Sequence, residues 1–138
     1  MRVFLDANVL FSAAYMDAGS PRALFLLAAA GACELVTSPY AIEEARRNML
    51  VKRAERAGEL AVLARQIAVQ PEPSLASIQW ATSLGLPAKD APILAAALES
   101  RAHMLVTGDV MHFGGLHGKR HRGIAVLRPA EAVDIVMG

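Results

Sequence analysis

Cysteine is almost missing from this chain, with Cys33 alone among 138 residues. One thiol closes no internal disulfide and cannot begin a multi-cysteine zinc site. It reads as a small buried hydrophobe, consistent with a reducing, cytoplasmic setting. Aromatic residues are also scarce, at 5%. Readers of single-stranded nucleic acid usually expose several aromatic rings, so Trp80, Phe4, Phe11 and Phe25 are assigned to the core instead. Neither sign of charge dominates: 14 Lys and Arg stand against 13 Asp and Glu, for a net +1. Bulk charge therefore does not mark a nucleic-acid binder, and any such contact needs a local basic patch. The longest apolar run, around residues 23–30, is about half the length that crosses a bilayer. Asp6 interrupts the N-terminal apolar stretch too early for a signal-peptide core, so the N-terminus reads as mature structure. Neither a P-loop nor a dinucleotide glycine fingerprint is present.

The composition is 54% hydrophobic and 20% charged, enough apolar content for a core and far from the disordered class. The length fits one domain, residues 1–138. Short apolar runs at residues 2–5, 33–37, 67–69, 103–107 and 124–127 read as strands. Helical signals fall between them. Ser20-Pro21 and Ser38-Pro39 each pair a cap with a proline at the first helical position. Gly31 and Gly58 read as helix stops, with a helical pattern resuming over residues 59–66. Pro71 and Pro73 mark a break before a helix over residues 74–84. Asp90 opens an Ala-rich helix, and residues 129–137 close the chain as another. Residues 113–123 form a glycine-rich basic loop. Strands alternating with helices predict an α/β fold with a parallel sheet, whose sites form beyond the carboxyl ends of the strands.

Acidic residues occupy those ends. Asp6 ends the first strand, Glu43 and Glu44 lie on the helix after the second, Asp90 opens a helix, and Asp109 follows the strand at 103–107. Carboxylates gathered together raise one another's pKa, and a cation relieves the repulsion. Oxygen donors suit Mg²⁺ or Mn²⁺. Such ions bind phosphates, activate water and stabilise a leaving oxygen, so the acids suggest metal-assisted phosphodiester hydrolysis. Each acid also has an ordinary reading: Asp6 and Asp109 as loop caps, Asp90 as a helix N-cap, and one of Glu43 and Glu44 as solvated helix surface.

The residues around the acids carry a family resemblance. Val3-Phe4-Leu5-Asp6-Ala7-Asn8 resembles the opening of PIN domains, and residues 38–44 resemble their second acidic motif. Lys89-Asp90-Ala91-Pro92 with its Ala-rich continuation is similar to the third. Leu105-Val106-Thr107-Gly108-Asp109, followed by His112-Phe113, is similar to the fourth. The resemblance implies a three-layer α/β/α sandwich around a central parallel sheet of four to five strands. It also implies an Mg²⁺- or Mn²⁺-dependent endoribonuclease acting on RNA, of the kind found as VapC-like toxins paired with an antitoxin and often homodimeric. By position, Asp6, Glu44, Asp90 and Asp109 become the metal-holding and catalytic acids, with Glu43 the alternative to Glu44. Asn8 and Thr107 become polar supports. The chain departs from the pattern after Asp109, where further acids are replaced by Val110, Met111 and His112. A weaker metal site, or a His112 that assists in their place, follows from that.

His112, Lys119 and Arg120 are candidate RNA contacts at the pocket rim, set against a loop kept soluble by its charge. The basic run Arg46, Arg47, Lys52, Arg53 and Arg56 reads mainly as a solvated face that RNA or an acidic antitoxin segment could use. The alternative function is a catalytically weak PIN-like module that binds RNA or a partner. A dehalogenase-like phosphatase is disfavoured, since Asp6-Ala7-Asn8 lacks the second aspartate and the threonine of that motif. A receiver domain is disfavoured because no lysine follows a late strand.

Overall fold

Six strands make one sheet in the computed structural model, which describes residues 1–109 and 111–138. They are β1 (Arg2–Leu5), β2 (Glu34–Thr37), β3 (Ala68–Val69), β4 (Met104–Val106), β5 (Arg120–His121) and β6 (Ile124–Leu127). Their order across the sheet is β3-β2-β1-β4-β6-β5. Every pair is parallel except β5 with β6.

The sheet is thus larger than the four to five parallel strands expected. The addition is β5, which folds out of the basic loop as the outer arm of a hairpin. Arg122 and Gly123 both take positive φ, 51° and 85°, as a two-residue primed turn requires. Left-handed backbone is unusual for arginine. Here the guanidinium lies 4.6 Å over the Trp80 ring, a cation–π contact that helps offset the cost.

The helices are α1 (Ala7–Tyr15), α2 (Ser20–Ala29), α3 (Pro39–Lys52), α4 (Ala57–Ala64), α5 (Leu75–Ser83), α6 (Ala91–Glu99) and α7 (Pro129–Met137). In β1, Val3, Phe4 and Leu5 are all buried, and so are Met104, Leu105 and Val106 in β4. Successive strand residues point to opposite faces, so consecutive burial means helices cover both faces. The architecture is therefore the α/β/α sandwich. Helix α6 is buried on nearly all sides through Ala91, Ile93, Leu94, Ala95, Ala96 and Ala97, whose small side chains let it sit deep in the core.

Local signals met different fates. The Ser38 hydroxyl accepts from the Ala41 N–H at 3.3 Å with Pro39 behind it, as the Ser-Pro signal predicts. At α2 the cap position belongs to Gly19 and Ser20 is already helical, so the expected cap is displaced by one residue. Gly58 does not end a helix. The break comes earlier, at Arg53 (φ −151°, ψ 63°), and a 3-10 turn at Ala54–Arg56 leads into α4, which contains Gly58. Helix α1 was not expected at all, because its cap, Asp6, reads as a strand end. Cys33 is only half-buried, at the edge of the core.

The topology fixes where a site can form. From β1 the chain moves to β2 and β3 on one side, then returns to place β4 and β6 on the other. Strands β1 and β4 therefore flank the switch point, where the flanking loops diverge and leave a crevice at their carboxyl ends.

Candidate functional site

Asp6 leaves β1 directly into that crevice and caps α1. Its Oδ1 accepts from the Ala7 N–H at 2.7 Å. Its Oδ2 accepts from the Thr107 hydroxyl at 2.9 Å, and from the Asn8 carboxamide at 3.5 Å. The same Thr107 oxygen accepts from Asn8 Nδ2 at 3.3 Å and from the Asp109 N–H at 3.0 Å. A hydroxyl has one proton and two lone pairs, so Thr107 is fully used. Asn8 Oδ1 accepts from the Gly108 N–H at 2.9 Å. This network ties the end of β1 to the end of β4, 101 residues apart in sequence at the Asp6–Thr107 bond.

Four elements bring acids to one place. A cavity of about 180 Å³ is lined by Asp6 at the β1 end, Asn8 at the start of α1, Glu44 and Asn48 from α3, Lys89 and Asp90 before α6, and Asp109 after β4. Asp90 occupies the N-cap position of α6, yet its side chain makes no cap hydrogen bond. The ordinary capping role therefore does not explain it, whereas Asp6 does cap α1.

Burial sets the electrostatics. Asp6 is 4% exposed, and loss of solvent pushes its carboxyl up to about 6. The hydrogen bonds from Thr107 and Ala7 pull it back, and the fields of Glu44 and Asp90 push it further up. Asp90 is raised by burial as well, against the pull of His112 and Lys89 and with a further push from Asp109. The Tyr40 phenol, which donates to the Lys89 carbonyl at 2.9 Å, is raised by burial and then by Glu44 and Asp90.

His112 stands against two of the acids. Its Nδ1 lies 2.6 Å from Asp109 Oδ2 and 3.2 Å from Asp90 Oδ2. Neither approach has hydrogen-bond geometry, so His112 Nδ1 and Asp90 Oδ2 are both buried without a hydrogen-bond partner. Among the described residues, no three His, Cys, Asp or Glu side chains converge closely enough to hold one ion by themselves. The donors are nonetheless oxygens around a polar cavity, and Asp90 Oδ2 is an acceptor without a hydrogen bond there, with only the His112 ring beside it. That combination fits Mg²⁺ or Mn²⁺ held by one or two carboxylates with water in the remaining positions, as Mg²⁺ is usually held.

The PIN-domain family model matches residues 2–111. The chain belongs to the PIN-domain family. Solved structures carry the same fold at low identity. PAE2754 from Pyrobaculum aerophilum is 19% identical with a TM-score of 0.71, over 99% of this chain and 90% of that one. VapBC2 from Rickettsia felis, bound to a DNA fragment from its promoter, is 17% identical with a TM-score of 0.67, over 91% and 97%. VapBC-1 from nontypeable Haemophilus influenzae is 16% identical with a TM-score of 0.63, over 94% and 99%. No curated protein matches the chain.

Within this PIN domain the two adjacent glutamates part company. Glu44 faces the acid cavity, while Glu43 is turned outward and chelated by Arg46 at 2.6 and 3.0 Å. Asn8 and Thr107 sit in the supporting network. His112 is at the acids, whereas Lys119 and Arg120 are exposed by the β5 hairpin and do not line the cavity. His117 is engaged elsewhere, with Nε2 2.7 Å from Glu131 Oε1. Val110, part of the departure noted after Asp109, lies outside the described residues. Sequence reasoning missed Asn48 and Lys89 as cavity residues. Asn48 was detectable, because it follows Glu44 by one helical turn and shares its face. Lys89 precedes Asp90 in a loop, where no periodicity announces direction.

Proposed function

We propose that this PIN domain is a metal-dependent endoribonuclease and the toxin of a toxin–antitoxin pair. The observation that carries the reading is the meeting of four acids from four elements at the switch point, one of them an N-cap aspartate that does not cap. Of Asp6, Glu44, Asp90 and Asp109, one or two would hold Mg²⁺ or Mn²⁺ directly and the others through water, and the ion when bound supplies Lewis acidity toward a phosphodiester and toward water. Asp6 is the fixed member, held by Ala7 and Thr107. Asp90, with an oxygen left unbonded, orients the attacking water and accepts its proton. Lys89 offsets phosphate charge at the mouth, and the Asn48 carboxamide offers a neutral donor beside Glu44. The VapBC structures share the fold, which supports an antitoxin partner. A homodimer acting on RNA in the cytoplasm completes the proposal.

The test is cleavage of single-stranded RNA with Mg²⁺ or Mn²⁺. Asp6→Asn and Asp90→Asn should each lower the rate by at least a hundredfold while thermal unfolding stays cooperative. Induction should arrest growth in the native chain and not in Asp6→Asn. Retained cleavage in both variants refutes the assignment.

One observation favours a second reading, a PIN module that binds without cutting. The His112 ring lies against both Asp90 and Asp109, where it competes with an ion for their oxygens. A metal-titration shift with no cleavage by the native chain would select that reading.

A further inference from the structure

A second cavity adjoins the acid pocket across a shared wall. It measures about 400 Å³ and is bounded by Asn8, Ser12, Pro21, Gly108, Asp109 and Pro129. Asn8 and Asp109 line both cavities, so a chain seated at the acids continues into this one. Asn8 and Ser12 are one turn apart on α1 and present the same face.

The chemistry of the wall narrows the occupant. Among the described residues, no lysine or arginine lines this cavity, and its one formal charge is the Asp109 carboxylate. A second phosphate is therefore a poor occupant. Pro21 and Pro129 lie in the first turns of α2 and α7, and neither has an N–H to offer an anion. Their rings provide carbon surface on which a flat group can lie. Across from them the Ser12 hydroxyl both donates and accepts, and the Asn8 carboxamide is held in place by Gly108 and Thr107. A neutral, flat group with polar edges matches these features. The volume is at the small end for ligand sites and accommodates one such group rather than a base pair.

We propose that this cavity is a nucleoside subsite, which receives one unpaired base and its ribose from the nucleotide next to the scissile phosphate. The proposal rests on the nuclease reading for its choice of polymer. It assigns substrate selection to Ser12, Pro21 and Pro129, none of which touches the acids by hydrogen bond. It predicts a preference for single-stranded over duplex RNA, because a paired base cannot turn into the cleft.

The test fills the cavity from α1 with Ser12→Phe, and with the smaller Ser12→Gln in case the ring disturbs folding. Binding of a single-stranded RNA hexamer with phosphorothioate linkages, which hydrolyse slowly, is measured with Mn²⁺ present and the strand checked for integrity afterwards, and Mn²⁺ affinity is measured separately. Expected is at least a tenfold loss of hexamer affinity with Mn²⁺ affinity within twofold of native. Native-like hexamer binding by both variants overturns the subsite, as does a parallel loss of Mn²⁺ binding or a native chain that does not bind the hexamer. Cleavage of the unmodified RNA hexamer by the native chain reports on the nuclease reading separately. If the native chain does not cleave it but hexamer binding still drops in the variants, the nuclease reading falls and the cavity stands as a site for one base and its ribose.

Discussion

Asp6 shows how one side chain can serve two demands that conflict. As a cap and strand terminus it is buried, and burial raises its pKa to about 6 from an ordinary value of 3.8. The folded chain therefore holds this proton more tightly than the unfolded chain does. The stabilisation this provides is complete below about pH 4 and is lost as pH climbs through 6. Without divalent ions the protein should lose stability between pH 4 and 7 on this account, by at most about 3 kcal/mol. Mg²⁺ at pH 7 should restore it, because ion binding requires the deprotonated carboxylate. Denaturant melts at pH 4.5 and 7 with EDTA check the sign, and a rise toward pH 7 would contradict it. Thr107→Val is the sharper probe. It leaves Asp6 Oδ2 without its short hydrogen bond and the half-buried Asp109 N–H without an acceptor. A cost of about 1–3 kcal/mol follows, together with a further rise in the Asp6 pKa, readable by carboxyl-carbon NMR.

Helices and strands act here as delivery devices, and their signals differed in legibility. The Ser38 cap and Pro39 make the start of α3 readable from sequence, and this start sets the rotation that turns Glu44 inward. Ser38→Ala should cost about 1 kcal/mol and lower activity modestly by loosening that turn; a thermal melt and a cleavage assay on the same preparation test both halves. Helix α6 delivers Asp90, and its alanines permit the deep placement. Ala95→Leu should cost about 1–3 kcal/mol or more, since a fully buried position has no room for the added carbons. Helix α1 escaped sequence reading because its cap looked like the end of a strand and its residues are mostly small and apolar. Hairpin strand β5 escaped because two left-handed residues, one of them an arginine, are not announced by a run of glycines.

At the scale of the molecule, the buried cluster runs from Val3 to Ala132, so the β1 and β4 ends are held by one continuous core. Ions bound between acids from four elements should stabilise the whole chain rather than one segment. Mg²⁺ at 100 times its Kd should add about 2.7 kcal/mol to a single cooperative unfolding transition, and Asp90→Asn should reduce that gain. Separate transitions, or a gain unchanged in Asp90→Asn, would place the ion elsewhere.

Sequence alone determined the alternation of strands and helices, the acids at strand ends, and the lack of an apolar run long enough to cross a membrane, and among the described residues no helix is long and apolar enough to do so. These are local properties: periodicity, caps and residue type are written in stretches of a few residues. Only the tertiary structure decided that Glu44 rather than Glu43 faces the cavity, that Asn48 and Lys89 join it, that Lys119 and Arg120 do not, and that Asp90 stands at a cap without capping. Those outcomes depend on helix rotation and on contacts between residues as far apart as Asp6 and Thr107, and such relations come from packing around the core, which no short window of sequence contains.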